Sequence, residues 1–377
     1  MRENKVTPNN IPVQKKNNFI VDGQIPKKIQ YLIKFETLFG INRLRLVCKS
    51  KFILGLCYAY TVCVVILTVY FRIFINSYSA TQIVFNITVA LEYLVLSFTS
   101  VSRSQLFAEL FDDGRASDVS SSKHRYLFCF LAIFCYDIFE FVFDDAYFDE
   151  PSPGYGARGA IFVSLFTHDL ETLFFCSSLA LILRRVELLR ERVSRIFILN
   201  EQAFLSEGSN LSGEMFSATA SFYKEYELIH KCSKHLNKLI GFPVCIVIFI
   251  LHLVNFCCTY FEVLRSISDF DNVIVIWYVH ARCLKYIFLI VALCFFSTIT
   301  VNQVEDLQVI LQETLNTQEL SKMERRNIKA FLQLTKDNQI VYLLGGVVKM
   351  NMALPLNYCS ICTTYLLIVI QFSKFLD

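Results

Sequence analysis

Glycine and proline are scarce, at 12 and 7 of 377 residues, and charged side chains make up only 18% of the chain. So few breakers exclude a turn-rich β architecture and favour long helices. Low charge beside 54% hydrophobic and 15% aromatic residues excludes an ordinary soluble domain. Residues 1–51 are polar and basic, without the early apolar core and cleavage site of a signal peptide. The chain lacks a phosphate-cradling glycine loop, an HExxH helix and a Ser/His/Asp arrangement, so no enzymatic activity, cofactor, metal or nucleic-acid partner is expected. Internal repeats are not apparent, which counts against many transporter folds.

What is abundant is apolar sequence in long runs. A helix crossing roughly 30 Å of hydrocarbon needs about 20 residues. Runs of that length, with little or no charge, lie at 52–71, 79–101, 126–143, 160–183, 239–261, 273–301 and 351–372. The expectation is an all-α polytopic membrane protein with seven transmembrane helices.

Basic residues divide the connections into two sets. The segment 1–51 carries 11 Lys and Arg, 102–125 carries 4, 184–238 carries 9 and 302–350 carries 6. In 72–78, 144–159 and 262–272 the only basic residues are Arg72, Arg158 and Arg265. The positive-inside bias then places the N-terminus in the cytosol and the C-terminus outside. Receptors coupled to G proteins run the other way. None of the 14 cysteines falls in an outer connection, and the sequons at Asn86 and Asn210 lie in a span and a cytosolic loop. A metabotropic seven-helix receptor is therefore disfavoured, and a secondary transporter is a weaker alternative still.

The cytosolic connections read as helices. Val186, Leu189, Val193 and Ile196 share one face, and Val304, Leu307, Leu311 and Leu315 form a second apolar stripe. Residues 206–213 break the first connection, and Gly345-Gly346 offers a break before the last span. The expected division is a cytosolic segment 1–51, spans one to six over 52–301 with the cytosolic helical loop 184–238, an anchor helix within 302–350, and a last span with a short outer tail over 351–377.

Ionisable groups inside spans cost roughly 2.5–3.5 kcal/mol each on insertion scales, so they mark function or pairing. Span three holds Asp137 and Glu140; span four holds His168, Asp169 and Glu171; span six holds His280, Arg282 and Lys285. Acids of spans three and four facing cations of span six would neutralise each other around a polar cavity open to the outside. His252 and Asn255 of span five join the candidates, with Phe166, Trp277 and Tyr278 as stacking surfaces. Structural ion pairing and a small-molecule pocket are compatible readings of this set. Cys359-x-x-Cys362 lies within a membrane helix without partner ligands and reads as packing.

Along the last span, Asn357, Ser360, Thr364 and Gln371 stack on one side of a helix, with Ile368 between the last two. A polar stripe on an apolar helix must face protein or water. Lining a pore and bonding a neighbouring helix are the two readings. The segment closes with Thr364-Tyr365, five hydrophobic residues and Gln371-Phe372. This TYLLIVIQF resembles the signature of insect gustatory receptors. The resemblance implies a tastant-gated, non-selective cation channel in the plasma membrane of gustatory sensory neurons, assembled as a homotetramer or a heterotetramer with related receptors. Span seven would line the pore, with Gln371 and Phe372 near the gate, and the cytosolic helices would anchor subunits to one another. Small-molecule tastants, membrane lipid and permeating cations are the implied partners. Sugar-sensing members commonly carry an acid after the Tyr; Leu366 stands here, which favours a bitter or other repellent tastant.

Overall fold

A computed structural model describes residues 27–43, 50–75, 80–102, 135–139, 142, 155–206, 212–244, 273–317 and 320–376. The described residues are helical almost throughout, as the scarcity of breakers requires. In order the helices are α1 (Lys27–Leu38), α2 (Lys51–Tyr70), α3 (Ala80–Ser102), α4 (Tyr155–Ser206), α5 (Ser212–Val244), α6 (Val273–Thr317), α7 (Lys322–Asp337) and α8 (Ala353–Leu376). A π-helical turn, Phe71–Ile75, prolongs α2, and residues 135–139 are also helical. Lys51–Ile73 and Leu284–Thr317 are long and apolar enough to cross a membrane. Most of the expected spans 126–143 and 239–261 lies outside the described residues.

Two helices run far beyond a bilayer. At about 1.5 Å per residue, the 52 residues of α4 and the 45 of α6 extend more than twice as far as a spanning helix needs. Each therefore has an apolar half followed by an amphipathic half, without an intervening turn. Their amphipathic halves meet α5 and α7 in a four-helix bundle. Val186, Leu189 and Val193 of α4 pack there with Tyr226 and Ile229 of α5, Val304, Leu307 and Leu311 of α6, and Ile328 and Phe331 of α7. The two stripes expected from the sequence thus face one core, with Ile196 and Leu315 half-buried at its margin.

Polar contacts close the bundle. The Tyr226 hydroxyl donates to the Asn338 carbonyl at 2.8 Å, and Gln308 donates to the Thr335 carbonyl at 3.1 Å. Arg190 and Asp306 join α4 to α6 at 3.1 Å, and Arg192 pairs with Glu225 across α4 and α5. Ser321 and Glu324 form a reciprocal capping box that starts α7.

Burial, helped by the Lys234 ammonium, holds the His230 imidazole of α5 below its usual range. Between that lowered value and about 6.5 the unfolded chain binds the extra proton, so stability rises with pH across the window and is lost on acidification. Purified protein should therefore melt lower at pH 5.5 than at pH 7.5, and His230→Gln should shrink that difference; an equal drop in both proteins would contradict the assignment.

Between α7 and α8 the chain makes a two-stranded hairpin, β1 (Leu343–Leu344) with β2 (Val348–Lys349), where a simple break was expected. Its turn holds Gly345 at φ 58° and Gly346 at φ 79°. Positive φ at successive residues is the primed turn that matches strand twist, and glycine adopts it without a Cβ clash.

Residues 33–43, part of the segment expected to be cytosolic, pack into the helical core. Ile33, Glu36, Ile41, Asn42 and Arg43 are all buried. The fold turns back at Gly40 (φ 83°), where a Cβ would lie 2.3 Å from the Tyr93 hydroxyl. That hydroxyl donates to the Phe39 carbonyl at 2.7 Å, and Tyr60 donates to the Leu38 carbonyl at 3.0 Å.

Candidate functional site

The apolar half of α4 carries a ladder of buried polar side chains. Ser164, His168 and Glu171 fall on one helical face, at i, i+4 and i+7. Each meets a side chain from another element. Arg72, in the π-helical turn after α2, donates to Ser164 Oγ at 3.0 and 3.2 Å and to Asn86 of α3 at 2.9 Å. His168 Nε2 lies 3.4 Å from Glu92 of α3. Glu171 accepts from Arg43 at 2.5 Å, and Arg43 also donates to Glu36 at 2.6 Å. The Arg43 guanidinium lies 4.4 Å from the centroid of the Phe174 ring, so carboxylates engage its terminal nitrogens and the ring engages its face.

Asp169, one residue on, points about 100° round the helix. Lys285 of α6 sits 2.8 Å from Asp169 and 3.0 Å from Asp137, joining three chain segments. Its ammonium also lies 5.0 Å from the Tyr136 ring centroid and 5.1 Å from that of Tyr286. His168 Nδ1 lies 2.9 Å from Asp169, which links this cluster to the α4 ladder. In a low-dielectric interior, carboxylates at these positions persist only with such partners.

The second feature is the outer face of α8. Leu354, Tyr358 and Cys362 are buried, and α8 packs mainly on α6. About a third of a turn away, Asn357, Ser360, Thr364, Ile368 and Gln371 are all exposed. The Thr364 hydroxyl donates to the Ser360 carbonyl at 2.9 Å, and Thr363 to the Cys359 carbonyl at 2.8 Å. Back-bonding satisfies the hydroxyl protons within the helix and leaves oxygen acceptors on the surface. Among the described residues, all five stay exposed in a single chain.

The match that decides the family is a model described as 7tm Chemosensory receptor, which fits residues 29–375. The chain belongs to the 7tm chemosensory receptor family. It is thus a membrane receptor and not an enzyme. No curated protein matches it in sequence. In fold this chemosensory receptor is similar to the insect olfactory receptor OR5 from Machilis hrabei, solved in complex with eugenol: TM-score 0.68 at 14% identity, covering 92% of this chain and 98% of that one. The OR5 structure whose description names no ligand gives TM-score 0.67 at 13% identity over 92% and 97%.

Within the receptor, the expected site residues separate into groups. Asp137 and Asp169 do meet a cation of span six, Lys285. Glu171 was expected beside those cations, but its partner is Arg43. Phe166, expected as a stacking surface for ligand, is covered by Phe39 at 4.7 Å, Phe162 at 5.6 Å and Phe35 at 6.0 Å. Glu140, His252 and Asn255 lie outside the described residues, as do the side chains of Trp277, Tyr278, His280, Arg282 and Phe372. Cys362 is buried on α8 and Cys359 half-buried beside it, and among the described residues no cluster could hold a metal.

Sequence reasoning missed Arg43, Glu36, Arg72, Asn86 and Glu92. Glu92 had a usable signal, since it is an acid inside an apolar run. Arg43 did not, because a basic residue ahead of the first span counts toward the positive-inside bias whether or not it folds back.

Proposed function

We propose that this receptor is a gustatory receptor: a channel opened by a small-molecule tastant and permeable to cations without strong selectivity. In this reading four copies surround a central axis, as a homotetramer or with related receptors. Each contributes seven spans, an N-terminus in the cytosol and a C-terminus outside, in the plasma membrane of gustatory neurons. The observation that carries it is the exposed polar stripe of α8, Asn357, Ser360, Thr364 and Gln371. A single striped helix cannot enclose water, so a conducting path needs several copies about a rotational axis. Ile368, between the polar rungs, would close the path by dewetting, with Gln371 and Phe372 near the gate.

The TYLLIVIQF ending supports taste over smell, and Leu366 favours a bitter or other repellent tastant over sugar. The four-helix bundle of α4 to α7 suits an anchor between subunits. Tastant would bind near the Asp137–Lys285–Asp169 cluster and shift the population toward the open arrangement by its preference for that state. The Machilis hrabei receptor solved with eugenol supports a small organic ligand by analogy of fold.

The test is to express the chain and record currents during a screen of contact and volatile compounds. Substituting Ile368 by Ala or Gln371 by Ala is expected to change resting leak or unitary conductance at least twofold. Unchanged currents across both variants would remove the pore assignment, and an externally labelled N-terminal tag would remove the topology. Responses confined to volatiles would favour an olfactory role.

A further inference from the structure

The start of α8 is tied to two other helices through the hairpin. The Leu343 N–H donates to Asn237 Oδ1 of α5 at 2.8 Å, and the Gly345 N–H donates to the Gly241 carbonyl of α5 at 2.6 Å. A Cβ on Gly241 would stand 3.3 Å from the Leu343 carbonyl oxygen, so glycine is what lets the hairpin approach this closely. On the other side, the Ser297 hydroxyl of α6 donates to the Met350 carbonyl at 2.6 Å, and the Met350 N–H closes the hairpin onto the Tyr342 carbonyl at 3.0 Å. Ser297, Tyr342, Leu344 and Met350 are all buried. Asn351 then starts α8, its side chain accepting from the Ala353 N–H at 3.2 Å.

Two facts make this joint more than local packing. First, α8 packs mainly on α6, so its base is fixed by the hairpin and by one neighbour. Second, Ser297 lies on the same unbroken helix as Lys285, roughly 18 Å along it at about 1.5 Å per residue. A rigid helix carries a displacement at Lys285 to Ser297, and a buried short hydrogen bond passes it to the backbone entering α8.

We infer that Ser297 and Asn237 are positioning residues for gating: the hairpin they hold is the joint through which movement of α6 against α5 reaches the pore helix. This rests on the channel reading above. A ligand that shifts α6 relative to α4 would change the angle at which α8 leaves the hairpin. In that transfer the buried hydroxyl acts as the donor to the Met350 carbonyl, so threonine should replace it and alanine should not.

Wild type, Ser297→Ala, Ser297→Thr and Asn237→Ala are compared at equal surface density by single-channel recording without added ligand. Ser297→Ala and Asn237→Ala should each change open probability at least fivefold while unitary conductance stays unchanged, and Ser297→Thr should behave as wild type. Alanine variants within twofold of wild type would overturn the inference, as would a change in conductance alone. Should wild type pass no current, the channel reading fails, and amide exchange in purified protein decides the joint by itself. Ser297→Ala should then speed exchange over 351–358 at least tenfold with 222–240 unaffected. Equal exchange in the two proteins would overturn it.

Discussion

Replacing Arg43 with leucine is expected to remove most of the protein from the cell surface. Arg43 is the cation shared by Glu36 and Glu171, and all three side chains are buried. Its loss would leave two carboxylates facing each other without the charge that made their burial tolerable. Breaking a buried ion pair from one side costs about 3–5 kcal/mol, a large fraction of the roughly 5–15 kcal/mol that keeps a domain folded. The penalty belongs to the carboxylates left behind and not to the arginine as such. Combining Arg43→Leu with Glu36→Gln and Glu171→Gln should therefore recover much of the surface protein. Surface biotinylation with size-exclusion profiles of detergent extracts checks both. Normal surface levels of Arg43→Leu alone would mean that the triad does not hold residues 33–43 in the core.

That triad also marks where the sequence stops being legible. The bundle of α4 to α7 could be anticipated because its helices keep a period of 3.6: Val186, Leu189 and Val193 on one, Val304, Leu307 and Leu311 on another. Their partners are set by burying those stripes, whatever the detailed geometry. The meeting of Asp137 and Asp169 with Lys285 was visible for a related reason, since charges in apolar spans have few places to go. Arg43 and Glu171 are 128 positions apart, and no local pattern records that the chain ahead of α2 folds back between helices. The cue was present only in Gly40 and the aromatic run Phe35 and Phe39, which read equally well as a polar segment with a few apolar residues. Gly345-Gly346 was read as punctuation, although paired glycines between short β-favouring residues also specify a primed hairpin. In the candidate site, the polar character was readable within the apolar runs, not ahead of α2, and the pairing only where both partners were unusual for their surroundings.

Placing lysine at Thr364 is expected to reduce cation current tenfold or more while leaving the amount of surface protein close to normal. Thr364 is exposed and its hydroxyl donates to the Ser360 carbonyl of its own helix, so among the described residues the substitution removes no hydrogen bond between helices. Around a rotational axis each subunit would bring one ammonium to the same level of the path. At about 8 Å a single charge repels a passing monovalent cation by roughly 0.5 kcal/mol in bulk water and about 2 kcal/mol at the effective dielectric of a protein surface. Four such charges add up to a barrier of at least about 2 kcal/mol, and tenfold in rate corresponds to 1.36 kcal/mol. Thr364→Glu reverses the sign and should preserve or raise the current. If this face of α8 met lipid instead, either charge would cost roughly 2.5–3.5 kcal/mol at the bilayer centre, and both variants would be lost from the surface together. Opposite effects of lysine and glutamate on current, at matched surface density, therefore identify a water-filled path, whereas parallel loss of both proteins would place the stripe against lipid.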